Sequence, residues 1–233
     1  MFPIHDDNPT RITPYVTYAL LLACVLIFFW QISLGDGVQQ AVYSFGVIPS
    51  VLFASKSLPV ELEILPAWLT IFTSMFLHGG WMHLIGNMLY LWVFGNNVED
   101  AMGHRRFILF YLLCGLLAAM TQAVLNPDSE IPMIGASGAI SGVLGAYLLL
   151  HPYARILVVI PIIVVIYTPW IAAYWVLGFW FVLQLINTLT STSDVGGVAY
   201  GAHLGGFVAG MLLIPFFKYR NVPLFSPSRK NKQ

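Results

Sequence analysis

Charged residues are scarce in this chain: they make up 9% of its 233 residues, while 58% are hydrophobic. An ordinary globular domain contains about 25% charged residues, so this composition excludes an ordinary soluble protein. The formal net charge is zero, which argues against nucleic acid as a partner. The length suits one compact unit better than two domains.

We also expect neither a disulfide framework nor a cleavable leader. Cys24 and Cys114 each lie in an apolar run, where a cysteine usually serves as a small hydrophobic residue. No basic run precedes the first apolar segment, which is too long for a signal-peptide core, so we interpret it as a retained signal anchor. Asp6 and Asp7 argue against a mitochondrial transit peptide, which favours a bacterial inner membrane.

The apolar residues are gathered in long runs that are typical of membrane spans. A membrane-spanning helix needs about 20 mostly apolar residues. We therefore predict an all-α polytopic membrane protein, with a six-helix domain at residues 15–217 between an N-terminal tail (1–14) and a basic C-terminal tail (218–233). The predicted spans are 15–34, 82–98, 107–125, 136–151, 170–188 and 203–217.

Charge decides between six spans and seven. The run Ile156–Tyr167 is short and contains Pro161, so it could be an additional span, a re-entrant segment or an extension of the fifth helix. With six spans, nine of the ten Lys and Arg residues lie on the side of both termini and only Lys56 lies opposite. Because basic residues accumulate on the cytoplasmic side, six spans with both termini cytoplasmic is the prediction. The nine residues are Arg11, Arg105, Arg106, Arg155, Lys218, Arg220, Arg229, Lys230 and Lys232.

Two connecting segments have a distinct character. The outer loop at residues 35–77 is rich in apolar side chains, including Phe53 and Trp68, and we expect it to rest in the lipid headgroups. The polar tail at residues 222–233 is predicted to be disordered.

A serine and a histidine stand at the heads of two predicted spans. Ser137 opens the fourth span and His203 opens the sixth, so the predicted topology places both at the outer membrane face. A serine hydroxyl is a poor nucleophile until a base removes its proton, and histidine is the usual base near neutral pH. The alternative for Ser137 is a hydrogen bond within its own helix. For His203, a function is favoured because ionisable groups inside spans are costly.

Glycine spacing indicates that these two helices pack closely. Gly138, Gly142 and Gly145 share one face of the fourth span, and Gly206 and Gly210 share one face of the sixth. Small residues at such spacing let membrane helices approach each other. The glycines can serve helix packing alone, but close approach is also what a Ser–His hydrogen bond requires.

A third polar cluster opens the second predicted span. His83 and Asn87 are four residues apart and share a helix face, where an imidazole and an amide could stabilise an oxyanion. The alternative is a metal site formed by His78, His83 and His203. No acidic residue lies within any predicted span, so the usual carboxylate ligand is missing and the metal interpretation is disfavoured.

The absence of acids within the spans also bears on catalysis. A soluble serine hydrolase commonly orients its histidine with an aspartate. Asp194 is the acid nearest His203 in sequence, nine residues before it in a Gly-rich loop. A Ser–His dyad is the more economical proposal, and whether Asp194 assists it is left open.

Three sequence blocks together resemble the rhomboid family of intramembrane serine proteases. The blocks are His78–Glu99, Gly135–Gly142 and Ala202–Gly210, and the resemblance spans the predicted six-helix core. It implies that Ser137 is the nucleophile and His203 the general base. It also implies an oxyanion hole formed by Asn87, His83 and the backbone N–H of Ser137. Supporting structural roles are implied for His78, Gly135, Gly138, Gly206 and Gly210, and Glu99 and Gly103 match a short cytoplasmic turn.

The chain departs from the family pattern at two places. Many members carry an aromatic residue four positions after the nucleophile, where it stacks on the histidine, but this chain has Ser141. Many also carry a Trp-Arg pair before the first histidine, where this chain has Leu69-Thr70 beside Trp68. Support for the His203 ring must therefore come from elsewhere, and the outer loop is expected to be held differently.

The resemblance implies an endopeptidase that cleaves transmembrane segments of other membrane proteins near the outer membrane face, with no cofactor and no metal. Its expected partners are transmembrane protein substrates and the lipid bilayer. The aromatic fifth span can anchor the protein at the interface or act as a mobile gate, and residues 190–200 could cap the site. The alternatives are a non-proteolytic relative that binds membrane clients, and a small transporter or channel, although no internal repeat or pore-lining charge is found.

Overall fold

The computed structural model describes residues 2–162, 165–190 and 197–227. Most of these residues are helical, and four short strands form one small sheet. The helices are α1 (Tyr15–Ser33), α2 (Val38–Phe45), α3 (Pro49–Leu52), α4 (Ala67–Thr73), α5 (Trp81–Met102), α6 (His104–Leu125), α7 (Ser137–Leu150), α8 (Ala173–Thr190) and α9 (Tyr200–Phe217). The strands are β1 (Phe2–Asp6), β2 (Arg155–Ile162), β3 (Val165–Tyr167) and β4 (Trp170–Ala172).

Within the described residues, four helices are long and apolar enough to cross a membrane: α1, α6, α8 and α9. Two further predicted spans are helices of a different character. The helix α7 is apolar but has only 14 residues. The helix α5 has 22 residues and ends at Met102, four residues beyond the predicted span. Its last turn includes Glu99 and Asp100. The count of six spans stays a prediction.

The turn between α5 and α6 fixes the start of α1. Gly103 joins the two helices with a φ of +78°, a left-handed conformation that glycine adopts without strain. Glu99, in the turn before it, is completely buried and accepts hydrogen bonds from the backbone N–H groups of Val16 (2.9 Å) and Thr17 (2.8 Å). The first N–H groups of a helix lack partners within that helix, so the Glu99 carboxylate caps α1 from another element.

The described residues of the segment 156–167 lie in two antiparallel strands, β2 and β3, so all three interpretations of it as a span, a re-entrant segment or a helix extension were wrong. Strand β2 pairs antiparallel with β3 and β4, with Ile160 opposite Tyr167 and Leu157 opposite Trp170. The run is rich in Val and Ile, which favour strands, and it is too short for periodicity to separate a strand from a helix. The prediction of an all-α chain is corrected accordingly.

The N-terminal tail completes this sheet. Strand β1 pairs antiparallel with β2, with Pro3 opposite Val158. At the end of β1, Asp6 accepts hydrogen bonds from the Tyr147 hydroxyl (2.6 Å) on α7 and from the Asn97 side-chain amide (2.8 Å) on α5. The tail is therefore attached to the ends of two core helices, at the end of the bundle remote from Ser137.

The buried carboxyl of Asp6 predicts a pH-dependent stability. Burial raises the pKa of Asp6 from 3.8 to about 6, against the opposing hydrogen bond from Tyr147. The folded state therefore favours the protonated acid, and its free energy of unfolding is expected to fall by about 3 kcal/mol as pH rises through this window. Thermal unfolding of the detergent-solubilised protein at pH 4 and pH 7 measures the change. Asp6→Asn should remove this part of the pH dependence; a parallel profile in that variant would contradict the assignment.

The helices α7 and α9 run in the same direction and touch through their backbones. A Cβ added at Gly206 would overlap the carbonyl oxygen of Gly138, and one added at Gly210 would lie 2.6 Å from the Cα of Gly142. Both pairs step by four residues, so the two helices stay in contact over a full turn. This is the close approach that the glycine spacing predicted.

The C-terminal segment is ordered as far as it is described. Tyr219 donates its backbone N–H to the carbonyl of Ala101 (2.9 Å), and Phe225 donates to that of Leu149 (2.7 Å). The prediction of disorder is therefore wrong for residues 222–227, because the backbone N–H groups of Phe225 and Ser226 find partners at the end of α7. Residues 228–233 lie outside the described part of the chain.

Candidate active site

Ser137 is the first residue of α7 and is half-buried. The preceding loop is held by the backbone N–H of Gly135, which donates to the carbonyl of Ser74 (2.8 Å). Gly135 has a φ of +125°, and a Cβ there would lie 2.7 Å from the His83 ring. A glycine at position 135 thus lets the loop deliver Ser137 beside His83.

His203 lies in the first turn of α9 and its ring is directed at the serine. The distance between His203 Nε2 and Ser137 Oγ is 2.8 Å, which is a hydrogen bond. The two side chains meet because both begin parallel helices that pack against each other. The structure therefore brings together the predicted Ser–His pair.

Two residues of α8 support the other side of the His203 ring. The Gln184 Oε1 atom lies 2.8 Å from His203 Nδ1, and Gln184 is buried. The Trp180 ring lies against the imidazole with 5.8 Å between ring centroids and 34° between planes. The Ser141 hydroxyl, at the position where the resemblance implies an aromatic residue, instead donates to the Ser137 carbonyl (2.6 Å). Support for the ring thus comes from α8 rather than from α7.

The contacts of Gln184 and Trp180 with His203 were not predicted from the sequence. One signal was present, because Gln184 is one of few polar residues in its predicted span, and a polar side chain there usually has a partner. Which residue it contacts depends on how α8 is rotated, and the sequence does not set that rotation. Asp194, considered as an aid to His203, lies outside the described residues, as do residues 191–196 of the loop that could cap the site.

His83 and Asn87 lie in the first two turns of α5, on the same face. The backbone N–H of Gly79 donates to His83 Nδ1 (3.2 Å), which leaves the proton of the neutral ring on Nε2, beside Gly135. The Asn87 side-chain amide donates one hydrogen to the carbonyl of His83 (3.0 Å), and a second N–H remains available. Each residue therefore has a hydrogen-bond donor that is not used within α5, and the His83 Nε2 atom lies beside the loop that precedes Ser137.

His78 has the contacts of a structural residue. Its backbone N–H donates to Gln31 Oε1 (2.9 Å), and its Nδ1 lies 3.2 Å from the carbonyl of Phe76. Burial, together with the nearby His83, lowers the pKa of His78 to about 4, so its imidazole is neutral at physiological pH. The His78 and His83 rings meet edge to face, with 5.2 Å between centroids. Among the described residues, no group of three or more His, Cys, Asp or Glu side chains is arranged to hold a metal ion.

Known proteins resemble this chain over most of its length. The family model of the Rhomboid domain matches residues 66–220. The chain is 30% identical to Rhomboid protease GluP of Bacillus subtilis over 206 residues, which is 86% of this chain and 35% of that protein. It is 30% identical to the mitochondrial Rhomboid protein 1 of Saccharomyces cerevisiae over 181 residues, covering 76% of this chain and 50% of that protein. It is 24% identical to Rhomboid protease GlpG of Salmonella newport over 216 residues, covering 91% of this chain and 66% of that protein.

The chain thus spans between 35% and 66% of the length of these relatives. The matched domain includes the three sequence blocks on which the resemblance was based, and it covers all of α5, α7 and α9. More than half of the chain lies within it. The chain therefore belongs to the rhomboid family, as its sequence motifs predicted.

Proposed function

We propose that the protein is an intramembrane serine endopeptidase that cleaves transmembrane segments of other membrane proteins. The observation that carries the proposal is the 2.8 Å hydrogen bond between Ser137 Oγ and His203 Nε2, at the same end of two apolar helices. A hydroxyl bound to an imidazole nitrogen is the arrangement of an activated nucleophile. No cofactor or metal takes part in the proposed reaction.

The reaction is an acyl transfer in two stages. His203 accepts the proton of Ser137, whose oxygen attacks a peptide carbonyl carbon of the substrate. His203 then protonates the leaving amine, and a water molecule, deprotonated by the same imidazole, hydrolyses the acyl-enzyme. The oxyanion that forms at each stage is stabilised by Asn87, His83 and the backbone N–H of Ser137. The last of these fits because the first N–H groups of a helix have no partner within it.

The substrate must expose a peptide carbonyl before it can react. A transmembrane helix hides its carbonyls in internal hydrogen bonds, so helix-destabilising residues and a small residue at the cleavage site are favoured. Entry between α8 and α5 is the proposed route. The outward face of α8 carries exposed aromatic side chains, including Trp175 and Phe179, which suits a helix that faces lipid or an arriving helix.

The chain is an integral membrane protein, and we infer a bacterial inner membrane with both termini cytoplasmic and the site toward the outer face. Arg155 lies at the sheet end of the bundle, whereas Lys56 belongs to the loop 35–77 at the other end, where it lies 3.4 Å from Glu130. This agrees with the positive-inside rule. Arg229, Lys230 and Lys232 lie outside the described residues.

Labelling with a fluorophosphonate tests the proposal and separates it from a non-proteolytic, client-binding relative. The full chain in liposomes is expected to become covalently labelled at Ser137, as located by mass spectrometry, because the probe reacts with activated serines. A client-binding protein would retain its clients and take no label. Labelling that is absent from the wild-type protein, or unchanged in Ser137→Ala, would overturn the protease proposal.

A separate prediction concerns the oxyanion donors. Asn87→Ala is expected to lower the rate of cleavage by about 100- to 1,000-fold, since the loss of one oxyanion donor typically costs that much. Its effect should appear in kcat rather than in KM, because the oxyanion exists only after attack. Asn96→Ala, on the same helix but remote from Ser137, is the matched control. Equal activity of the two variants would remove Asn87 from the oxyanion hole.

A further inference from the structure

Gln184 is a buried polar residue on a helix whose other buried side chains are apolar. The buried residues of α8 are Ala173, Val176, Leu177 and Gln184. Trp180 lies four residues before Gln184, so both share the helix face that meets α9. Burying an amide in apolar surroundings is unfavourable unless it forms a hydrogen bond, and Gln184 forms one with His203.

The two hydrogen bonds of His203 determine where its proton resides. A neutral imidazole has one N–H and one acceptor nitrogen. Because Gln184 presents its carbonyl oxygen, an acceptor only, to Nδ1, that nitrogen must carry the hydrogen. Nε2 is then the acceptor, and it is the atom 2.8 Å from Ser137 Oγ. The tautomer required of a general base is therefore the one that Gln184 selects.

We propose that Gln184 is a positioning residue for His203, which holds the imidazole proton on Nδ1 and the ring in line with Ser137. This inference rests on the proposed function. It extends the Ser–His dyad to three residues joined by hydrogen bonds: Ser137, His203 and Gln184. The role is that of the aspartate in a soluble serine hydrolase, with a neutral amide in its place.

The environment accounts for an amide at this position. Burying a carboxylate beside the ring is unfavourable unless a charged partner offsets the loss of its hydration. An amide orients the ring without that penalty. Ser141 cannot take over the role because its hydroxyl is bonded to the Ser137 carbonyl. Trp180 fixes the plane of the imidazole from one side but offers no acceptor to Nδ1.

Three variants separate positioning from general stability. Gln184→Met keeps the size of the side chain and removes the acceptor. Gln184→Glu keeps an acceptor oxygen at the same reach. Asn187→Leu is the matched control, because it removes a carboxamide from the next turn of α8, and the structure shows no hydrogen bond from Asn187 to His203.

The measurement is fluorophosphonate labelling of the full chain in liposomes as a function of probe concentration and pH. Gln184→Met is expected to lower the maximal labelling rate by roughly 10- to 100-fold, with little change in the half-saturating concentration, because a misplaced base slows chemistry rather than binding. Asn187→Leu should label like the wild type. Gln184→Glu should recover most of the rate.

The pH profile gives a readout that a merely structural role would not change. A carboxylate at position 184 would stabilise the imidazolium, so the acid limb of the Gln184→Glu profile should move to higher pH. Among the described residues, the titratable groups that face His203 are His83 on α5 and Tyr200 on α9, and both are unchanged in these variants. A shift in the acid limb therefore reports on position 184.

The outcomes distinguish this inference from the function on which it rests. If the wild type labels and Gln184→Met labels at the same rate with the same pH profile, the positioning role is overturned and the protease proposal stands. If the wild type does not label, both fail. Should Gln184→Met not fold, as judged by thermal unfolding, Gln184→Glu decides: an unshifted acid limb overturns the role, and a shifted one supports it.

Discussion

Replacing Ser137 with alanine is expected to lower cleavage of a co-expressed single-span protein by about four orders of magnitude or more, because no other hydroxyl lies against His203 Nε2 in the described site. His203→Ala should cause a loss of similar size. The double variant should be no worse than either single one, since a nucleophile and its base act as a unit. Cleavage is followed by immunoblotting of substrate fragments at equal enzyme levels.

Ser141→Ala is the matched control for this experiment. It removes a hydroxyl one helical turn further along α7, whose O–H donates to the Ser137 carbonyl and is not bonded to His203. We expect its cleavage rate to stay within about tenfold of the wild type, because the loss of one neutral hydrogen bond is worth only about 1 kcal/mol. Cleavage that persists in Ser137→Ala, or that is lost equally in Ser141→Ala, would contradict Ser137 as the nucleophile.

The second large effect concerns the contact between α7 and α9. Gly210→Ala is expected to destabilise the protein by about 3 kcal/mol or more, because the added Cβ would overlap the backbone of Gly142. A side chain can change rotamer to relieve such a contact, but a helix backbone must move as a whole. Separating the two helices would also separate Ser137 from His203, so activity should be lost together with stability.

A glycine elsewhere in the bundle shows whether space or helix propensity is responsible. A Cβ at Gly178, in α8, would have no atom within 4 Å. Gly178→Ala should therefore be neutral or stabilising by up to about 1 kcal/mol, since alanine favours the helix. Thermal unfolding in detergent compares both variants with the wild type. Equal unfolding temperatures for Gly210→Ala and Gly178→Ala would mean that α7 and α9 are not in backbone contact.

Much of the fold could be predicted because hydropathy is a property of the sequence itself. The predicted spans and the helices of the structure agree to within four residues at each end. The pairing of the fourth and sixth spans was also predictable, because the spacing between Gly138 and Gly142 matches that between Gly206 and Gly210. Ser137 and His203 could be placed at the same end because spans alternate in direction.

The strands β2 and β3 could not be recognised in the same way. A buried run of Val and Ile has no period that distinguishes strand from helix, and only its pairing with β1 decides the matter. That partner lies some 150 residues earlier in the chain. The ordering of residues 222–227 has the same origin, since the carbonyls that accept their N–H groups belong to α7.

The amino-acid sequence by itself determined the membrane character of the protein, its family and the identity of its candidate nucleophile and base. These depend on residue types and on spacing along the chain. The tertiary structure alone decided that Gln184 and Trp180 support His203 in place of an aromatic residue at position 141. The physical reason is that Val176 and Leu177 pack α8 into the bundle and so set its rotation, and the rotation of a helix is a property of packing, not of composition.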